Sequence, residues 1–254
     1  MVLEKRLLDN NTDILLKSNL VWRIIILSSL QEPKEVELQE LKDLVRSENV
    51  EWEYFFEILK EHKIQPIIVN NLIKYVKNEL PETIREDLIK KMKTATFFYF
   101  SKVKQLKECI SFFKENNIDV IPWKGIVLSE EIYGSFNLRQ SSDIDIIVRK
   151  KDLFKAKNLM LNKGYLPLWK MDDKQEQLYI RDRHSYELIK PNHVDVEIHW
   201  RLAKKQYLLN ISMDDFWFNS SSKNLYDIEV KYPSKGAFHN FAWNKKNVIF
   251  IEKK

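Results

Sequence analysis

Glycine is scarce in this chain: Gly125, Gly134, Gly164 and Gly236 are the only four in 254 residues. Dinucleotide-binding fingerprints and Walker phosphate loops need several glycines within a few positions of a strand–helix junction, and neither motif occurs. Cysteine is scarcer still. The single Cys109 excludes an internal disulfide framework and a cysteine-based zinc site, and it suits a reducing compartment. Long hydrophobic runs are also missing. The most apolar stretch, residues 20–30, contains Arg23 and is too short to span a bilayer. The first fifteen residues place Glu4, Asp9 and Asp13 among their apolar positions, unlike a signal peptide. A soluble, cytoplasmic protein with no membrane partner is therefore expected. Neither sign of charge dominates, with 42 Lys and Arg against 37 Asp and Glu and a net charge of +5. That excess suits a protein that handles phosphates but does not by itself indicate nucleic-acid binding.

What is present divides the chain by its periodicity. Hydrophobic residues make up 44% and charged residues 31%, a balance that supports a folded core. Residues 1–117 read as helices. Residues 2–30 follow a mostly helical pattern broken by Pro33, and Val36, Leu38, Leu41, Leu44 and Val45 continue it. Trp52, Phe55, Phe56 and Leu59 share one helical face, and Pro66 and Pro81 mark the next junctions. A long helix is expected from residue 82 to about 116. Its seam is Leu88, Met92, Thr96, Tyr99, Val103, Leu106, Ile110 and Phe113. Lys90, Lys91, Lys93, Lys102, Lys104 and Lys107 lie along the same helix and read as its solvated face rather than a nucleic-acid surface.

From Ile118 the periods shorten. Strands are expected at 119–123, 143–148, 165–169, 184–189 and 194–200, with weaker strand signals at 230–232 and 248–251 and a loop at 220–222. Helices are expected at 125–133 and 152–163, ended by Gly134 and Gly164. The fold class is α+β: a helical region (1–117), then a core with a mixed or antiparallel sheet (118–202), then a short and truncated C-terminal extension (203–254).

The chemistry sits in two strands. Side chains alternate along a strand, so Asp143 and Asp145 of Ser141-Ser142-Asp143-Ile144-Asp145 share one face, with Ile144, Ile146 and Val148 on the other. Two carboxylates about 4 Å apart repel by roughly 4 kcal/mol at an effective dielectric near 20, so a cation, a shared proton or water must offset them. In residues 194–200 the same alternation places Asp195, Glu197 and His199 together. If the two strands are neighbours, the carboxylates form the hard, oxygen-rich site that Mg²⁺ favours. The turn Pro122-Trp123-Lys124-Gly125 joins a strand to a helix, where a glycine lets backbone N–H groups approach an anion and Lys124 adds charge. Arg139 precedes the aspartate strand and can hold a phosphate with its planar fork. For Asp195 and Glu197 the wet side of an edge strand is the structural alternative, and for Lys124 and Arg139 simple surface solvation. His184, His193 and His239 show no metal-ligand spacing, His62 reads as a helix C-terminal partner, and Cys109 as an inert core thiol.

Residues 123–128, Tyr133, residues 139–148 and residues 196–202 together resemble the uncharacterised bacterial nucleotidyltransferases of the DNA polymerase β superfamily. The resemblance covers roughly residues 50–202. It implies a polymerase-β-like core that binds Mg²⁺ or Mn²⁺ and a nucleoside triphosphate such as ATP. By the same resemblance Asp143, Asp145 and Glu197 are metal ligands and catalytic, with Asp195 a second candidate for the third carboxylate. Lys124, Gly125 and Ser142 lie near the triphosphate, joined by Arg139. The sequence departs from the family at the turn, where Lys124-Gly125-Ile126 lacks the usual serine, and at its C-terminal end. The expected activity is nucleotidyl transfer from a nucleoside triphosphate to an acceptor hydroxyl with release of pyrophosphate. The alternative is a weakly active or inactive relative that binds a nucleotide or a partner. The acceptor is left open among a small molecule such as an aminoglycoside or sugar, a peptide, a protein side chain and an RNA end.

Overall fold

The computed structural model describes residues 19–203 and 212–234. The expected strand at 248–251, and most of the helical pattern before residue 19, lie outside the described residues. The chain forms two compact units, one of residues 1–99 with 129–140 and one of residues 100–128 with 141–254.

The first unit is helical. It contains α1 (residues 19–28), α2 (Glu35–Val45), α3 (Trp52–Glu61), α4 (Gln65–Tyr75) and the first half of α5 (Glu82–Glu115). Val21, Ile24, Leu41, Val45, Phe55, Leu59, Ile68, Leu72 and Leu88 are all buried in one cluster, as their helical spacing requires. The last carbonyls of a helix lack intrahelical partners. At the end of α1 the buried Asn71 supplies two of them, its amide donating to Ser28 O at 2.9 Å and Leu30 O at 3.0 Å. Pro66 sits in the first turn of α4, where its missing N–H costs nothing. His62 caps the C-terminus of α3 as expected, edge-on to Trp22.

The second unit holds the sheet. In chain order it comprises β1 (Val120–Trp123), the start of α6 (Gly125–Tyr133), β2 (Ile144–Val148), a 3₁₀ turn (Lys150–Asp152), α7 (Leu153–Asn162), β3 (Leu166–Pro167), α8 (Asp173–Asp182), β4 (Ser185–Ile189), β5 (Val196–His199), α9 (Met213–Phe218), β6 (Ser221–Leu225) and β7 (Ile228–Tyr232). The main sheet has the order β1-β2-β5-β4-β3 and is mixed. Strand β2 runs antiparallel to β1 and parallel to β5, and β4 is antiparallel to both β5 and β3. The α+β class with a mixed sheet is thus the observed one.

Several local expectations are corrected. The strand expected at 143–148 begins one residue later, so Asp143 precedes β2, all five residues of which are buried. The expected strand 165–169 shrinks to two residues at the sheet edge, where Pro167 has no N–H to give. Residues 220–222 are not a loop: β6 begins at Ser221 and pairs with β7. The cue was missing because four of its five residues are exposed, so no apolar alternation marks it. Tyr226 and Asp227 both take positive φ (52° and 67°), the geometry of a two-residue hairpin turn. Helix α8 is too polar to show periodicity. It is marked instead by the capping box of Asp172 with Gln175. Finally, Lys102 is fully buried rather than part of a solvated face.

Candidate active site

Strand register builds the site. Trp123 on β1 lies opposite Asp145 on β2, Asp145 beside Glu197 on β5, and Glu197 opposite Glu187 on β4. One row across four strands therefore carries three carboxylates. The β2–β5 pairing extends one residue further, because Ile144 N–H donates to Asp195 O at 2.8 Å. The two acidic strands that the sequence placed separately are adjacent and parallel.

The turn after β1 brings positive charge to this row. Lys124 and Gly125 both have positive φ, 49° and 40°. For Lys124, a residue with a Cβ, that conformation costs roughly 1–2 kcal/mol. The strained turn directs the Lys124 ammonium to Asp145 Oδ1 at 3.5 Å and to Glu197 Oε2 at 4.0 Å. From β5, His199 Nε2 lies 2.8 Å from Asp145 Oδ1 and 2.8 Å from Glu197 Oε2. Ser185 Oγ donates to Glu197 Oε1 at 3.4 Å.

Electrostatics follow from these contacts. Burial pushes the Asp145 carboxyl up, but the His199 hydrogen bond and the Lys124 charge outweigh it and hold Asp145 well below the usual carboxylate range. Burial likewise disfavours a charged His199, yet its bonds to Asp145 and Glu197 prevail and raise its pKa above the ordinary imidazole value. Glu187 is raised, first by burial and then by the negative charge of Glu197 and Asp143. Lys124 and His199 thus lie against Asp145 and Glu197, the two carboxylates that the β2–β5 register sets side by side.

The expected residues are distributed as follows. Asp145 and Glu197 are together at the centre. Asp143 is half-buried, and its carboxylate accepts from Ser141 Oγ at 3.2 Å. A Cβ placed on Gly125 would lie 3.1 Å from Ser141 Oγ, 3.6 Å from Asp143 O and 3.7 Å from Asp145 Oδ2, so the glycine sits against the aspartates. Asp195 and Ser142 are exposed. Arg139 belongs to the first unit, where its N–H donates to Ser129 Oγ at 3.0 Å and its carbonyl accepts from Tyr99. The sequence reading left His199 without a role, although alternation already placed it on the acidic face. It missed Glu187, whose strand also alternates, because strand order is not legible in a single strand.

The donor set fits a divalent cation: one ligand atom each from Asp145, Glu197 and His199 lie within 4.8 Å of one another. His199 Nδ1 is buried and has no hydrogen-bond partner among the described residues, so the polar contacts of the ring run through Nε2 to the carboxylates, while its face packs near His184.

Residues 48–236 match the family described as uncharacterised nucleotidyltransferases, and the chain belongs to that family. No curated protein matches it. Among solved structures it is similar to TM1012 of Thermotoga maritima, a candidate nucleotidyltransferase, with 12% identity and a TM-score of 0.42 over 59% of this chain and 88% of that one. It is also similar to the lincosamide antibiotic adenylyltransferase LnuA bound to lincomycin, with 17% identity and a TM-score of 0.35 over 57% of this chain and 94% of that one. Among the described residues no helix is long and apolar enough to cross a membrane.

Proposed function

We propose that the protein transfers a nucleotidyl group from a nucleoside triphosphate to an acceptor hydroxyl and releases pyrophosphate, in a reaction dependent on Mg²⁺ or Mn²⁺. The observation that carries this reading is the side-by-side register of Asp145 and Glu197 on parallel strands, with the Lys124 ammonium against both. Asp143, Asp145 and Glu197 hold the metal, and the neighbouring His199 nitrogen suits Mn²⁺ as well as Mg²⁺. When bound, such an ion supplies Lewis-acid stabilisation of the phosphates and lowers the pKa of a hydroxyl.

The chain's own groups do the rest. Lys124, together with the backbone N–H groups at the start of α6, binds the triphosphate. The positive φ of Lys124 and Gly125 turns this segment toward the carboxylates. The acceptor oxygen attacks the α-phosphorus as the bond to the β-phosphate oxygen breaks, and pyrophosphate leaves with the electron pair. The acceptor proton passes to a carboxylate oxygen, for which the exposed Asp195 is the accessible member. A small molecule, peptide or protein is favoured as acceptor over nucleic acid, because a net charge of +5 is too small an excess to indicate a nucleic-acid surface.

The test is incubation of the full chain with each α-labelled nucleoside triphosphate and Mg²⁺ or Mn²⁺, against fractionated cell extract. Label transferred with pyrophosphate release, and lost on Asp143→Ala, supports the reading. Metal-dependent triphosphate binding with no pyrophosphate release in any fraction replaces it with the binding-module alternative, which the missing turn serine at Ile126 favours.

A further inference from the structure

Charged lysines are almost never fully buried without a purpose-built partner. Lys102, in the second half of α5, is 0% exposed. Its ammonium donates to Ser141 Oγ at 2.8 Å. With that lone pair occupied, the Ser141 hydroxyl donates onward to Asp143, lying 3.2 Å from Oδ1 and 3.2 Å from the backbone carbonyl. A second observation points to the same arrangement. The space that a Cβ on Gly125 would fill ends 3.1 Å from Ser141 Oγ, so the glycine leaves the room in which this hydroxyl sits.

We infer that Lys102 and Ser141 form a positioning relay for Asp143: the buried ammonium orients the Ser141 hydroxyl, which fixes the carboxylate for the divalent ion. Neither residue touches the reacting atoms. The inference rests on the reading of Asp143 as a metal ligand, and it deepens that reading by naming what sets the geometry of a half-buried aspartate. Outer partners of this kind typically change metal affinity by about 10–100-fold when removed.

The test uses the full chain and Mn²⁺ alone, with free Mn²⁺ followed by electron paramagnetic resonance. The variants are Asp143→Asn, Ser141→Ala, Lys102→Met and the Ser141→Ala/Lys102→Met double variant. Asp143→Asn is expected to abolish tight Mn²⁺ binding. If it leaves the affinity unchanged, Asp143 is not a ligand, and the relay falls with that reading. Ser141→Ala is expected to weaken Mn²⁺ by about tenfold, and also to lower the urea midpoint in EDTA, because the buried ammonium loses a hydrogen bond. If Asp143→Asn abolishes binding while Ser141→Ala has no effect, the relay is wrong and the ligand assignment stands.

The double variant isolates the role of Lys102, because removing its charge shifts Mn²⁺ affinity equally in both Ser141 backgrounds and cancels from the cycle. In the Lys102→Met background, Ser141→Ala is expected to cost less than about twofold. An equal cost in both backgrounds overturns the part assigned to Lys102. Should Lys102→Met fail to fold, Ser141→Ala still decides: a lowered urea midpoint with unaltered Mn²⁺ affinity marks a merely structural hydroxyl and overturns the inference.

Discussion

Removing Asp145 and removing Asp143 have different implications for the metal-free fold, although only Ile144 separates them: Asp145 lies within β2 and Asp143 just before it. Asp145 is 6% exposed and is in contact with a fully buried His199 and a mostly buried Lys124. Asp145→Ala leaves His199 and Lys124 with Glu197, at 2.8 Å from His199 and 4.0 Å from Lys124. Breaking a buried pair by deleting one partner costs about 3–5 kcal/mol, and the surviving Glu197 contacts place this case near 3 kcal/mol. That is on the order of a 100-fold shift in the folding equilibrium. Asp143→Ala loses one long hydrogen bond from Ser141, worth about 1 kcal/mol, and relieves repulsion from its neighbours. Its stability should lie within about 1 kcal/mol of the parent chain. Urea unfolding in EDTA, followed by circular dichroism, measures both. Equal midpoints for the two variants, or a larger loss for Asp143→Ala, would refute the charge arrangement argued above.

Other outcomes follow from the same geometry. Gly125→Ala forces a Cβ onto a residue with φ of +40° and to within 3.1 Å of Ser141 Oγ; a loss of about 1–2 kcal/mol in urea is expected, and an unchanged midpoint would contradict the turn. Cys109 is buried and its thiol is pushed up to about 12 by desolvation, so a disulfide reagent at neutral pH should react with it slowly in the native chain and rapidly in urea. For pH, Asp145 is depressed below its ordinary 3.8, so its contribution is present above that value and is lost as pH falls. His199 is raised above its ordinary 6.5, so its contribution is complete below 6.5 and is lost as pH rises through the folded-state value. The metal-free protein should therefore be more stable at about pH 5.5 than at about pH 9, and His199→Gln should flatten that difference in urea midpoints.

How much of this was legible beforehand depends on the range of the forces involved. Alternation is local, and it put Glu197 with His199, whose Nε2 lies 2.8 Å from Glu197 Oε2, whereas Asp143 precedes β2 and stands outside the ligand atoms that Asp145, Glu197 and His199 bring together. Helical seams are local too, and α5 runs from Glu82 to Glu115 as its stripe requires. Pairing between strands is not local. No pattern within 185–189 says that Glu187 faces Glu197, and no pattern within α5 says which of its lysines turns inward. Lys102 shares the composition of its exposed neighbours, and its burial beside the Ser141 hydroxyl is set by the fold. Strand β6 failed for the reverse reason: its exposed polar residues give no hydrophobic signal, and backbone pairing with β7 alone defines it.

The arrangement has a consequence for how such a site works. The row of carboxylates is made stable, without any ion, by groups from different elements: Lys124 from a strained turn and His199 from β5. A divalent ion approaching the same oxygens meets these charges as competitors. By linkage, whatever stabilises the metal-free state through those oxygens must weaken the metal by the same free energy. Lys124 escapes this conflict if its ammonium transfers from Asp145 and Glu197 to an incoming triphosphate, since the phosphate charge then replaces the carboxylate charge it gives up. Metal and nucleotide binding should accordingly be mutually reinforcing in the parent chain. In Lys124→Met the Mn²⁺ affinity without nucleotide should rise, while the gain from adding nucleotide shrinks. A Lys124→Met protein that binds Mn²⁺ more weakly in the absence of nucleotide would show that the lysine supports the metal directly, and would remove the reason for placing it on the phosphates.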